Sequence, residues 1–175
     1  MSIGFREFYN SDMKRYGSKP SKYLRSFHKY FRKIQTCNNK LLSLYYRFRL
    51  RNIERKNGLE IPRTVKFGKG LCICHPYNIT INPSVVLGDN INIHKGCTIG
   101  QENRGKRKGV PTIGNCVWIG INACIVGNVT IGDDVLIAPN SYVNCDVPSH
   151  SVVFGNPCII RPKENATEGY MNRLV

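Results

Sequence analysis

Residues 113–137 read IGNCVWIGINACIVGNVTIGDDVLI, and an isoleucine returns every six positions, at Ile113, Ile119, Ile125, Ile131 and Ile137. A period of six fits neither a helix of 3.6 residues per turn nor an alternating strand. Outward from this stretch the series runs back through Ile99, Ile93, Leu87, Ile81, Ile73, Phe67 and Ile61, and forward to Val143. Two steps are longer: Ile73 to Ile81 has two extra residues, and Ile99 to Ile113 has eight. Six-residue periodicity is the mark of a solenoid in which each hexapeptide supplies one short strand and a corner. Three strands close one coil, so Ile61, Phe67 and Ile73 open the three faces of the first, and Ile81, Leu87 and Ile93 those of the second. The spacing therefore predicts a mainly β protein, a parallel β-helix, with Asn and Asp at Asp89-Asn90, Asn115, Asn122, Asn128 and Asp133-Asp134 supplying turn chemistry.

The organisation follows from where this period begins and ends. Residues 1–58 form a basic helical N-terminal region, 59–161 the β-helix, and 162–175 an aperiodic tail expected to be frayed or loosely packed. Residues 101–111, with Arg104, Lys106, Arg107 and Lys108, interrupt the ladder, and a solenoid expels such an insertion as an external loop. Residues 1–20 read as irregular. Ser21 is a fitting N-cap for a helix bearing Leu24, Phe27, Phe31 and Ile34. A second helix is expected from Leu41 to Lys56, with Leu41, Leu44, Tyr45 and Phe48 on one face and Asn57-Gly58 as its C-cap.

The charge is uneven. Residues 1–57 carry fifteen lysines and arginines against Glu7, Asp12 and Glu54, a surplus of twelve out of the chain's +15. Residues 21–56 could meet an anionic membrane surface. The favoured expectation is plainer: their apolar faces pack on the coil or on a neighbouring subunit while the charges stay solvated. No nucleic-acid motif is present. No apolar run is long enough to span a bilayer, and the start Met1-Ser2-Ile3-Gly4-Phe5-Arg6 does not read as a secretory leader, so a cytoplasmic protein is expected, with peripheral contact at the inner face of the membrane left open by the basic helices. The eight cysteines read as reduced, mostly packed thiols. Cys72-Ile73-Cys74 lacks the second cluster that a metal site needs, so no metal is expected.

Chemistry concentrates at His75. It follows Ile73 at the corner that Tyr77-Asn78 enlarges, and Glu60 precedes Ile61 one coil away on the same edge of the prism. A carboxylate bonded to one ring nitrogen leaves the other free as a base. A corner histidine satisfied by backbone fits the same spacing, and spacing leaves both open. His94 and Lys95 occupy the corner stacked on that of His75 and rank second.

His75-Pro76-Tyr77-Asn78-Ile79-Thr80-Ile81, Cys97-Thr98-Ile99-Gly100, Pro111-Thr112-Ile113-Gly114-Asn115, Val117-Trp118-Ile119-Gly120, Val129-Thr130-Ile131-Gly132 and Gly155-Asn156-Pro157-Cys158 together resemble serine-acetyltransferase-type hexapeptide acyltransferases. The resemblance spans about Glu60 to Arg161. It implies a left-handed β-helix, a homotrimer with sites between subunits, and acetyl-CoA as co-substrate. It places the catalytic base at His75 and the supporting carboxylate at Glu60. It also implies a CoA arm against Gly120-Ile121 and Ala138-Pro139, with Gly100-Gln101 near the thioester and Lys163 near the phosphates. His94, Lys95 and Cys74 line the acceptor side. Two departures bear on the acceptor. The family's aspartate before the histidine is Cys74, and its Arg-His before the coil resumes is Gly109-Val110. Both residue pairs hold a zwitterionic amino acid, so the expectation is a sugar-hydroxyl O-acetyltransferase of capsule, exopolysaccharide or lipopolysaccharide assembly. Serine O-acetylation and a non-catalytic trimeric scaffold are the alternatives.

Overall fold

The computed structural model describes residues 4–175. Three helices lead: α1 (Phe5–Lys14), α2 (Lys22–Thr36) and α3 (Lys40–Asn57). Fifteen strands follow among the described residues: β1 (Leu59–Glu60), β2 (Lys66–Phe67), β3 (Cys72–Cys74), β4 (Ile79–Ile81), β5 (Val86–Leu87), β6 (Ile91–His94), β7 (Thr98–Gly100), β8 (Thr112–Ile113), β9 (Val117–Ile119), β10 (Cys124–Val126), β11 (Thr130–Ile131), β12 (Val135–Ile137), β13 (Tyr142–Val143), β14 (Ser151–Phe154) and β15 (Ile159–Pro162). They wind into three parallel sheets, β1-β4-β7-β10-β13, β2-β5-β8-β11 and β3-β6-β9-β12-β14, with β15 added antiparallel to β14.

The register explains the period. Ile81 pairs with Ile99, Ile125 and Val143 along the first sheet, and Phe67 with Leu87, Ile113 and Ile131 along the second. Ile73, Ile93, Ile119, Ile137 and Val153 align along the third. These ladder side chains are all buried. Burying one such side chain is worth about 1.5–3 kcal/mol, so the ladder is the main drive for winding. The edge between the second and third sheets is stitched by side chains. Asp89 Oδ1 accepts from the Lys69 amide at 2.6 Å, Asn115 Oδ1 from Asp89 at 2.8 Å, Asp133 Oδ1 from Asn115 at 2.5 Å, and Ser149 Oγ from Asp133 at 2.9 Å. Each rung satisfies a corner amide that a turn would otherwise leave orphaned.

The helices begin and end on local signals. Ser21 Oγ accepts from the Leu24 amide and Asn39 Oδ1 from Leu42, while Gly58, at φ +61°, closes α3. A Cβ on Gly58 would stand 2.5 Å from Asn78 Oδ1, so both its backbone angle and its surroundings require glycine. Helix α1 occupies part of the stretch expected to be irregular. Its inward residues include Ser11 and Asp12, with buried Arg15 just past its end, and such polar inward positions carry no apolar period to read. Asp12 accepts two bonds from Arg32, at 2.8 and 2.9 Å, and one from His28 Nδ1 at 3.0 Å, all three side chains being fully buried.

The tail also differs from expectation. Beyond β15, Ala166, Thr167 and Met171 are buried. Asp134 accepts from the amides of Ala166 and Thr167 and from the Thr167 hydroxyl, and Asn90 exchanges two bonds with Val175. The carboxylate and amide that hold the tail belong to corners far away in sequence, so aperiodicity did not mean looseness. The insertion at 101–111 forms a small external hairpin closed by a Glu102–Gly109 bridge and tethered by Arg107 to Asp146 at 2.8 Å.

Candidate active site

The strands β3 and β4 meet at a widened corner, where His75 (φ +57°) and Asn78 (φ +52°) both take left-handed backbone conformations. Histidine and asparagine are among the few residues enriched there. The corner is stacked through backbone bonds. The Asn78 amide donates to Asn57 O at 3.0 Å, Gly96 to Tyr77 O at 3.0 Å, Asn122 to Lys95 O at 3.0 Å, and Asn140 to Ile121 O at 2.9 Å. One edge of the prism therefore carries His75, then His94 and Lys95, then Gly120 and Ile121, then Ala138 and Pro139. Gly120 is pressed so close that a Cβ would lie 2.6 Å from Pro139 N, which leaves bare backbone along this edge.

Cys74 and His94 are register partners on adjacent strands. The His94 Nδ1 donates to the Ile119 carbonyl at 2.9 Å, which fixes its tautomer. Its ring lies 4.5 Å from that of Trp118. The Cys72 and Cys74 sulfurs are 3.6 Å apart. The Cys72 thiol bonding to Cys74, with help from His94 and against burial, pulls the Cys74 thiol down toward the thiolate. The Cys72 thiol is pushed up in return, by that same bond and by burial. Burial acts to lower His94, but Cys74 outweighs it and the imidazole titrates above its usual range. The edge thus holds an exposed imidazole, His75, beside a sulfur–imidazole pair that favours separated charge.

Other expected site residues lie elsewhere in the single chain. Glu60 is in strand β1, in register with Thr80, and its carboxylate accepts from the Thr80 hydroxyl at 3.5 Å. Among the described residues no hydrogen bond or ion pair joins Glu60 to His75. The residue stacked on this corner from below is Asn57, through Asn78, and Glu60 sits further along, opposite Thr80. Gly100 and Gln101 end β7, on the edge between the first and second sheets, where Gln101 bonds Asn103 at 2.6 Å. The amide of Lys163 donates to His150 O at 2.8 Å, on the third edge.

Two groups escaped the sequence reading. Glu54 on α3 is pushed up to about 7 by burial, and its charge helps to raise the Tyr23 phenol, after burial of that phenol itself. Its sole sequence signal is that α3 holds no other acid. His28, to which the sequence reading gave no role, is fully buried between Asp12 and the Tyr16 hydroxyl, 2.9 Å from its Nε2. Among the described residues no group of three His, Cys, Asp or Glu side chains is placed to hold a metal ion.

The family profile described as bacterial transferase hexapeptide (six repeats) matches residues 111–145. The chain is 37% identical over 99 residues to a serine acetyltransferase of Helicobacter pylori, covering 57% of this chain and 58% of that protein. The structure superposes on that of Neisseria gonorrhoeae serine acetyltransferase in complex with serine with a TM-score of 0.68 at 27% identity, covering 90% of this chain and 69% of that one. On a serine acetyltransferase in complex with CoA the TM-score is 0.62 at 27% identity, covering 79% and 55%. In fold and repeat the chain is a hexapeptide-repeat β-solenoid similar to serine acetyltransferases. It spans 34–58% of the length of such curated relatives. These relatives overturn the expectation of a sugar acceptor in polysaccharide assembly, which rested on Cys74, on Gly109-Val110 and on the short basic helical N-terminal region.

Proposed function

We propose that this chain transfers the acetyl group of acetyl-CoA to the hydroxyl of serine. The observation that carries this reading is its similarity to serine acetyltransferases, one of them solved with serine and one with CoA. His75 takes the proton from the serine hydroxyl, and the oxygen attacks the thioester carbonyl. Backbone N–H groups at the tight corner hold the oxyanion. The tetrahedral intermediate collapses, the C–S bond breaks, and His75 returns its proton to the CoA sulfur. The pantetheine arm runs along the bare backbone of Gly120-Ile121 and Ala138-Pro139.

The departures at the acceptor side have a physical answer. Cys74, drawn toward the thiolate beside His94, supplies negative charge for the serine ammonium, and exposed Lys95 supplies a cation for its carboxylate. A zwitterion in a site lacking both would be poorly paired. Gly100 and Gln101 lie on another edge, so they join His75 only where two copies pack edge to edge, and a homotrimer supplies three such sites. Glu60 is the candidate orienting carboxylate and Glu54 its competitor. Comparing Glu60→Gln with Glu54→Gln separates them.

The test is release of free thiol from acetyl-CoA in the presence of serine. His75→Asn, which suits the left-handed backbone, should lose about 10²–10⁴ in rate with an unchanged melting temperature. Cys74→Ala should raise KM for serine and leave KM for acetyl-CoA alone, and Cys74→Asp should restore it. Full activity in His75→Asn, or no thiol release with serine, overturns the reading.

A further inference from the structure

Helix α3 carries two apolar faces. The inner face is built from Ser43, Tyr46, Leu50 and Ile53, with Leu50 4% exposed and Tyr46 and Ile53 packed on the core. The outer face is Leu41, Leu44, Tyr45 and Phe48, which are 81%, 63%, 48% and 63% exposed. At 3.6 residues per turn the two sets fall on opposite sides of the helix. Lys40, Arg47 and Arg51 flank the outer stripe on one side and Arg49 and Lys56 on the other, all exposed, and Glu54 is the one acid in the helix. Helix α2 is different, since its Phe27 and Phe31 are fully buried.

We propose that the outer face of α3 docks on an anionic lipid surface. Four large apolar side chains in one exposed stripe exceed the scattered singles of an ordinary surface. Lying flat, the helix sinks Leu41, Leu44 and Phe48 to the boundary between headgroups and acyl chains, while the flanking arginines reach lipid phosphates on both sides. Charge decides among occupants. A second copy would bring two cationic rows together, and a nucleic acid would engage the arginines but leave Leu41 and Leu44 in water. Behind the stripe a cleft of about 860 Å³ lies between α3 and β1, where Arg47, Arg51, Arg55 and Arg63 outnumber Glu54 and Glu60 on the walls and Leu44 and Phe48 stand at the side. It is large enough to admit a phosphate headgroup. Among the described residues no helix is long and apolar enough to cross a membrane, so the contact is peripheral.

The experiment floats the full chain with vesicles of phosphatidylcholine, with and without phosphatidylglycerol, at low and high salt. The protein should rise with anionic vesicles at low salt and at least about tenfold less with neutral ones or at high salt. Leu44→Asp/Phe48→Asp and Arg47→Glu/Arg51→Glu should each cut binding about tenfold or more, with unchanged melting curves because all four side chains are exposed. The proposal is overturned if anionic vesicles leave the protein behind, or if the apolar double variant still floats fully. It is equally overturned if that variant instead lowers the mass seen by light scattering, which would mark a second copy as the occupant. None of these readouts involves acetyl transfer, so they stand or fall apart from the proposed activity.

Discussion

His75 stood out as a candidate because the ladder stretches by two residues beside it, and the structure places it, exposed, at that widened corner. Cys74 was legible only as a departure. Its chemistry depends on Cys72 two residues away and His94 across the strand pair, a grouping created by register. Glu54 was invisible in the same way, because its burial exists only once α3 lies against β1. Its pH dependence has a definite sign. An unfolded glutamate loses its proton near about 4.3, whereas Glu54 holds its proton up to about 7. The folded state therefore binds the extra proton between those values, and stability falls as pH rises through that window. Urea unfolding from pH 4.5 to 8 should show this decline in the wild type and a flatter profile in Glu54→Gln. Identical slopes would remove Glu54 as the cause.

At the scale of elements, α2 and α3 announced themselves by caps and spacing, but which face of α3 packs was not written in its sequence. Both faces are apolar, and contact with α2 selected the inner one. Helix α1 was missed because what anchors it is ionic. Asp12, His28 and Arg32 form a dry cluster, and Arg32 also donates to the carbonyls of Phe67 and Gly68, at 3.0 and 2.7 Å. Removing one partner of a buried ion pair costs about 3–5 kcal/mol, so Arg32→Met should lower stability by that order in urea melts. Burial acts to raise Asp12, but His28 and Arg32 outweigh it and the carboxyl sits below its ordinary range. Its contribution is present above the unfolded value of about 3.9 and is lost as pH falls through the folded one. Arg32→Met should accordingly unfold at higher pH on acid titration than the wild type.

For the whole molecule, the period of six was sufficient to give the coil, its three faces and the place of the insertion, since ladder burial and register are the same fact seen twice. It could not give the tail, whose anchors at Asn90 and Asp134 belong to distant corners. Nor could it say which edges form a site, because His75 and Gln101 occupy different edges of one chain. Light scattering of the purified protein should give about three times the mass of the 19.9 kDa chain, and a monomer retaining full activity would contradict a site shared between copies. Among the described residues no strand lies beneath the lower rim of the first coil. There Ser11 Oγ accepts from the Gly70 amide and Asp12 from Leu71, Tyr16 meets the amide and carbonyl of Ile73, Arg32 reaches Phe67 and Gly68, and Gln35 donates to Val65. Side chains from α1 and α2 thereby fill positions that another solenoid's strands could claim. The two leading helices are in effect a stopper, and shorn of them the prism would present a template on which copies could string end to end into a filament.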